Sequence, residues 1–152
     1  MLLKNFIPSI NKKYRKVFFS GIAFDSSKVR KNNIFFAIKG NKYDGNNYIN
    51  SAIKRGANVI ISEKKIFKKV ENVIFIPTKN VRKLLAQISF KILNKKPKTL
   101  VAVTGTNGKS SVADFYYQIL KLNSKKVASI GTIGVQYKNL QKNSEITTLD
   151  PI

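Results

Sequence analysis

Residues 99–120 constrain the fold most, because an apolar run is followed there by a glycine-containing turn and then by a helical pattern. The run "TLVAVT" (99–104) has the length and continuous apolarity of a strand that is buried on both faces. A further strand is predicted over 125–134. This order predicts a parallel strand–helix–strand unit with a right-handed crossover. The helix between the strands is indicated by apolar residues at i, i+3, i+4, i+7 and i+8, namely Val112, Phe115, Tyr116, Ile119 and Leu120.

The turn itself reads "TGTNGKSS" (104–111) and has the parts of a phosphate-binding loop. Gly105 and Gly108 permit unusual dihedrals, and a helix N-terminus behind them carries a partial positive charge. Lys109 can reach phosphate oxygens, and the Ser110 hydroxyl is placed to ligate Mg²⁺. The strict pattern G-x-x-x-x-G-K-[ST] is not met, because Val103 occupies the position of its first glycine. We therefore predict nucleotide binding here, with an ordinary strand–turn–helix as the alternative.

The first half of the chain predicts a small α/β domain. A helix is predicted over 46–57, with Asn46 or Asn47 as its cap and Gly56 near its end. A longer helix is predicted over 80–96, with Val81, Leu84, Leu85, Ile88 and Ile92 on its apolar side. Strands are predicted over 20–27, 33–40, 58–63 and 72–77, the last of them stopped by Pro77.

Pro97 lies in the polar stretch 94–98, which we take as the linker between two domains. The fold class is therefore α/β. A small N-terminal α/β domain (1–96) is followed by the incomplete beginning of a P-loop-type, parallel-sheet ATPase domain (97–152).

The composition restricts the chemistry that is available. The formal net charge of +22 attracts polyanions, yet the lysines are scattered, so compositional bias and a functional basic surface both stay open. The absence of cysteine and histidine excludes disulfides, thiolate metal sites and the commonest general base. We see neither a secretory signal nor an apolar stretch that could span a bilayer, so we expect a cytoplasmic protein without membrane insertion.

The wording "TGTNGKSS" resembles the ATP-binding signature T-G-T-N-G-K-T-T of the Mur ligases, the ATP-dependent amide-bond ligases of peptidoglycan synthesis. The N-terminal domain of one family member, which adds the third peptide residue, contains four motifs in a fixed order. They are D-S-R, D-L-F-V-A-I-x-G, D-G-x-x-F-I and A-I-x-x-G-A. This chain has "DSS", "NIFFAIKG", "DGNNYI" and "AIKRGA" in the same order, and "SIGTIG" (129–134) and "TTLDPI" (147–152) are similar to later segments. The resemblance covers the chain from about residue 20 to its end.

The resemblance implies a role for each matching residue. Lys109 would be the catalytic lysine and Ser110 a ligand of Mg²⁺. The ATP-binding residues would be Gly105, Thr106, Asn107, Gly108, Lys109, Ser110 and Ser111. The residues that contact the UDP-muramoyl substrate would be Phe24, Ser26, Asn41, Lys42, Tyr43, Thr147 and Thr148. Two departures from the family pattern concern contacts: Ser27 replaces the arginine of D-S-R, and Leu149 replaces the proline of T-T-P.

The function that the resemblance implies is the ATP-dependent addition of a diamino acid to UDP-N-acetylmuramoyl-L-alanyl-D-glutamate through an acyl phosphate. Whether the diamino acid is meso-diaminopimelate or L-lysine is left open. The alternatives are a Mur-type ligase that adds D-alanyl-D-alanine and a basic nucleic-acid-binding module, although no nucleic-acid-binding motif is present. The resemblance also implies that the chain is an N-terminal fragment, so we expect it to be inactive by itself.

Overall fold

The computed structural model describes residues 1–8, 10–40, 43–64, 70–93 and 96–142. These residues form two compact units, which divide between Lys95 and Lys96. We refer to them as the first and the second unit.

The first unit is built on a four-stranded parallel sheet with strand order β1-β2-β3-β4. The strands are β1 (Gly21–Ala23), β2 (Asn33–Ala37), β3 (Ala57–Ser62) and β4 (Ile74–Pro77). Its α-helices are α1 (Ile49–Lys54) and α2 (Val81–Ile92). Short 3₁₀ helices occur at Leu3–Asn5, Lys12–Tyr14, Ser26–Lys28 and Gly45–Tyr48. The predicted α/β class, four strands and two helices are confirmed, and every element except β3 is shorter than the sequence indicated.

The sheet is buried on both faces, as the continuous apolar sequence of β2 indicates. Side chains of β2 alternate between two clusters: Ile34 and Phe36 belong to one, Phe35 and Ala37 to the other. The first cluster is completed by Leu3, Ile7, Phe19, Val59, Ile61, Val81, Leu85 and Ile88. The second is completed by Ala23, Val29, Ile49, Ala52, Ala57 and Ile60. Helix α2 therefore packs on one face and α1 on the other.

The predicted cap of the helix over 46–57 is wrong. The Asp44 carboxylate, rather than Asn46 or Asn47, accepts the backbone N–H of residue 46 at 2.9 Å. It thereby starts the 3₁₀ turn Gly45–Tyr48 that leads into α1. The side-chain oxygen of Asn46 is not available for capping, because it accepts a hydrogen bond from Ser62 at 2.6 Å. The end of α1 is as expected, since Gly56 has φ +102° directly after it.

The second unit contains helix α3 (Lys109–Leu122) and the strands β5 (Ala128–Gly131), β6 (Gly134–Tyr137) and β7 (Leu140–Lys142). The helix starts where the sequence predicts. The three strands form an antiparallel sheet in the order β5-β6-β7. In the described part of the chain no helix has the length and apolarity that crossing a bilayer requires.

Two predictions for the second unit are wrong. No strand forms over 99–104, and the predicted strand over 125–134 contains a turn, so the parallel strand–helix–strand unit is absent. The physical reason is pairing, because a strand needs a hydrogen-bonded neighbour and none of the described strands lies beside 99–104. Strand β5 instead pairs with β6 through a two-residue turn, which Gly131 and Gly134 close.

Candidate functional site

The glycine-containing turn of the second unit leads directly into helix α3. Gly108 precedes the helix in a left-handed conformation, with φ +73° and ψ −4°. A β-carbon there would meet nothing within 4 Å, so the backbone conformation and not space calls for glycine. Gly105 also has a positive φ, of +151°. The two glycines thus let the chain turn sharply and present the start of α3 to solvent.

Lys109 brings a positive charge to this turn. Its Nζ donates hydrogen bonds to the carbonyl oxygens of Gly105, at 2.5 Å, and Thr106, at 3.0 Å. The N–H groups in the first turn of α3 lack intrahelical acceptors, and this turn contains no acidic residue. All residues from 105 to 111 are exposed. The arrangement therefore suits a phosphate group, which would accept from backbone N–H groups and from the Lys109 ammonium group.

Ser110 lies in the first turn of α3, and its hydroxyl is 2.7 Å from the hydroxyl of Thr132. Thr132 belongs to the turn between β5 and β6. The described residues include no cluster of three Asp, Glu or His side chains that could hold a metal ion. Mg²⁺ is commonly bound by one or two protein ligands together with substrate phosphates and water. Ser110 beside a phosphate loop fits that mode of binding, and a metal site made of protein ligands alone is not found in these ranges.

The candidate substrate residues of the first unit follow the carboxyl ends of neighbouring parallel strands. Phe24 comes directly after β1, Ser26 opens the next 3₁₀ helix, and Tyr43 follows β2. Ligands of open parallel sheets bind outside this edge. Phe24 is half-buried against the core, Ser26 is partly exposed, and Tyr43 is 71% exposed. Four further candidates lie outside the described residues: Asn41, Lys42, Thr147 and Thr148.

Asp25 shapes the turn that carries Ser26. Its Oδ1 accepts hydrogen bonds from the backbone N–H and the hydroxyl of Ser27, each at 2.8 Å. The Ser27 hydroxyl, followed by its N–H, lowers the pKa of Asp25, and the charge of Arg55 contributes. Arg55 Nη1 donates a hydrogen bond of 3.4 Å to the Ser27 carbonyl oxygen. The motif D-S-R has an arginine where this chain has Ser27, and here Arg55 brings a guanidinium group to the same turn. The local sequence gave no sign of this contact, because the two residues are 28 positions apart.

A second polar network holds the base of the loop that carries Tyr43. The Gly40 N–H donates to the Tyr43 carbonyl oxygen at 2.8 Å. Asp44 accepts from the Asn46 amide at 2.6 Å and from Lys64 Nζ at 3.0 Å. These hydrogen bonds lower the pKa of Asp44 from its usual value of 3.8 to about 2, and the bond from the Asn46 side-chain amide has the largest effect. Sequence reasoning missed this network, for which the Asp-Gly pair of "DGNNYI" was the available signal.

The buried Ser62 hydroxyl joins this network to the sheet. It donates to the Asn46 side-chain oxygen at 2.6 Å and accepts from the Lys64 N–H at 2.9 Å. Ser62 is the last residue of β3 and is 2% exposed. The loop after β2 is therefore tied to the end of the neighbouring strand by hydrogen bonds that solvent does not reach freely.

Two family models match the chain in succession. "Mur ligase family, catalytic domain" matches residues 19–91, and "Mur ligase middle domain" matches residues 103–152. The chain belongs to the Mur ligase family. Each match includes one of the two regions described above: the carboxyl edge of the parallel sheet and the loop before α3.

Curated Mur ligases support the assignment. The chain is 44% identical over 134 residues to the "UDP-N-acetylmuramoyl-L-alanyl-D-glutamate--2,6-diaminopimelate ligase" of Rickettsia conorii, with 86% of this chain and 28% of the relative covered. It is 41% identical over 133 residues to the ligase of the same name from Chelativorans, covering 88% and 27%. The chain thus spans between a quarter and a third of the length of these relatives.

Solved Mur ligases have a similar fold. A structure titled with the same ligase name has a TM-score of 0.79 at 25% identity, and the match covers 99% of this chain and 31% of that one. The Thermotoga maritima MurF ligase in complex with ADP has a TM-score of 0.51 at 31% identity, covering 66% and 23%. The TM-score of 0.79 over nearly the whole chain confirms the α/β fold class.

Proposed function

We propose that this chain is part of an ATP-dependent amide-bond ligase of peptidoglycan precursor synthesis. The substrate would be UDP-N-acetylmuramoyl-L-alanyl-D-glutamate, and the amino acid added would be 2,6-diaminopimelate. Both assignments are supported by the names of the relatives that are 38–44% identical to it. The reaction consumes ATP, so we place it in the cytoplasm.

The loop before α3 would hold the nucleotide. Backbone N–H groups from 105 to 111 would donate to phosphate oxygens, and Lys109 would exchange its two loop carbonyl acceptors for them. Ser110 would contribute its hydroxyl to Mg²⁺. Bound Mg·ATP supplies the phosphoryl group and neutralises the charge that develops during its transfer. These residues act by positioning and charge, for which neither histidine nor cysteine is needed.

The carboxyl edge of the parallel sheet would hold the UDP part of the substrate. We assign contacts to Phe24, Ser26 and the loop 41–43, and we assign the threonine pair 147–148 to the muramoyl-peptide part. Ser26 is partly exposed, so a ligand can reach its hydroxyl. Tyr43 offers an exposed aromatic ring on which a planar base can pack.

The chemical steps follow from the substrate. The terminal D-glutamyl carboxylate takes the γ-phosphoryl group, which leaves ADP and an acyl phosphate. The amine of 2,6-diaminopimelate attacks the acyl carbon, and the tetrahedral intermediate loses phosphate to leave an amide. The ammonium group of Lys109 beside the loop would stabilise negative charge on the phosphoryl oxygens.

One observation carries the nucleotide part of this proposal. A left-handed glycine stands immediately before an exposed helix N-terminus whose first residue, Lys109, extends its amine back over the loop. A structural turn gains little from a lysine there, because the residues of the turn are all exposed.

The first experiment is a calorimetric titration of the chain with UDP-N-acetylmuramoyl-L-alanyl-D-glutamate, beside a single-stranded RNA, at two salt concentrations. We expect saturable binding of the sugar nucleotide that Ser26→Ala weakens. Ser51→Ala serves as the matched control, since Ser51 lies on α1. Binding of RNA alone, with an affinity that collapses as salt rises, would contradict the proposal and make the charge of +22 the basis of function.

A further inference from the structure

Thr132 lies in the "GTIG" segment, to which the proposed function gives no role. The segment forms the turn between β5 and β6, where Gly131 pairs with Gly134. The Thr132 side chain is exposed, so it adds nothing to a core. Its one polar contact in the described part of the chain is with Ser110, at 2.7 Å between the two hydroxyl oxygens.

This contact is the first of three hydrogen bonds, among the described residues, that join helix α3 to the β5–β6 hairpin and to the turn after β6. One turn along the helix, Asp114 accepts from the Gln136 amide at 3.5 Å. One turn further, the buried Tyr117 donates its hydroxyl to the Lys138 carbonyl oxygen at 3.3 Å. Residues at i, i+4 and i+7 lie on one face of a helix. The β5–β6 hairpin and the turn after β6 therefore lie along this face, and this alignment places Thr132 at the start of α3.

A hydroxyl that ligates a cation uses an oxygen lone pair and keeps its proton, which then needs an acceptor. The Thr132 hydroxyl oxygen lies 2.7 Å from that of Ser110 and can provide this acceptor. We propose that Thr132 is a positioning residue of the Mg·nucleotide site, whose hydroxyl oxygen accepts a hydrogen bond from the Ser110 hydroxyl and so leaves a lone pair of that serine for the metal ion. This inference depends on the proposed function, because it needs a nucleotide and Mg²⁺ at the loop.

The test compares the affinity for ATP in excess Mg²⁺ with the affinity in EDTA, measured on the 152-residue chain by calorimetry and by the ³¹P resonances of ATP. In Thr132→Val the hydroxyl is lost and the shape is kept. We expect the Mg²⁺-dependent gain in affinity to fall by up to about tenfold, the upper end of what one ordinary hydrogen bond contributes, while the affinity in EDTA stays within about twofold. Thr132→Ser restores the hydroxyl and should restore the gain.

Gln136→Met is the matched control, because it removes the next contact between hairpin and helix and leaves Ser110 untouched. We expect its Mg²⁺-dependent gain to equal that of the wild type. An equal loss in Gln136→Met and Thr132→Val would reduce Thr132 to a structural role and overturn the inference. An undiminished gain in Thr132→Val would overturn it as well.

The wild-type chain separates this inference from the proposed function. If it binds ATP equally with and without Mg²⁺, the inference is wrong and the nucleotide site stands. If it binds ATP in neither buffer, the proposed nucleotide site fails, and the inference fails with it.

Discussion

The two units of this chain differ in how far their apolar faces are covered. In the first unit Leu85 and Ile88 of α2 are 0% exposed, and both faces of the sheet are packed. In the second unit the side of α3 with Val112, Phe115 and Ile119 is 55%, 62% and 57% exposed. Tyr117 is the one buried side chain of α3. The amphipathic sequence pattern therefore predicted both helices correctly. Such a pattern also implies a buried apolar side, which α2 has and α3 lacks.

The candidate sites differ in the same way. The turn that leads into α3 is built from consecutive residues, so its shape needs no distant partner. The edge of the parallel sheet depends on contacts between residues far apart in sequence, such as Ser62 with Asn46 and Arg55 with Ser27. A local turn can thus form on an uncovered helix, whereas the carboxyl edge of the parallel sheet requires the complete sheet.

The comparison predicts its largest effect for one substitution made in each helix. Leu85→Ala removes a side chain that is 0% exposed, so we expect the first unit to lose about 3 kcal/mol of its free energy of unfolding. Leu122→Ala removes a side chain that is 85% exposed, so a change of less than about 0.5 kcal/mol is expected. Amide hydrogen exchange in β3 and in α3 measures the two units separately. Equal losses would contradict the difference in coverage.

The second prediction concerns the loop that carries Tyr43, and it compares an alanine substitution at two glycines. A β-carbon at Gly45 would lie 2.7 Å from the backbone N and O of Ile38, so Gly45→Ala forces the loop away from β2. We expect a loss of about 2 kcal/mol in the first unit, together with weaker sugar-nucleotide binding. Gly131→Ala is the control, since a β-carbon there meets nothing within 4 Å. Unchanged exchange rates in β2 of Gly45→Ala would show that this close approach is absent.

The smallest effect concerns pH. The pKa of Asp44 is about 2 in the folded chain, against an ordinary value of 3.8, so the folded state binds fewer protons in this range. Asp44 thus stabilises the first unit above roughly pH 5, and this contribution is lost as pH falls toward 2. In urea unfolding, Asp44→Asn should make the free energy of unfolding fall less steeply as the pH is lowered. An equal loss of unfolding free energy at low pH in the wild type and in Asp44→Asn would contradict a stabilising role of the Asp44 hydrogen bonds.

The sequence predicted the elements of the first unit because each depends on a local pattern. Apolar β-formers in β2 and β3 are buried on both faces, and the stripe of α2 meets the sheet. Polar partners were not predictable, since nothing near Asp44 in sequence reveals Lys64, which lies 20 positions away. The predicted strand over 125–134 failed because the two glycines of "GTIG" close a hairpin inside it.

The glycine–lysine turn was the most predictable part of the candidate site. Gly108, Lys109 and the start of α3 lie as the motif indicates. The contact of Ser110 with Thr132 could not be predicted, because it joins residues 22 positions apart across a hairpin that the sequence pattern did not indicate. The motifs thus selected the candidate residues, and the fold supplied their hydrogen-bond partners.

The most direct test of the central claim is a titration of Mg·ATP into the wild-type chain, Lys109→Met and Lys121→Met. Both substitutions remove one positive charge from α3, but only Lys109 contacts the loop. We expect Lys109→Met to bind about tenfold more weakly or worse, as for the loss of a hydrogen bond to a charged group, and Lys121→Met to bind like the wild type. Equal weakening of both variants would show that bulk charge attracts the nucleotide, and it would contradict a phosphate site at this loop.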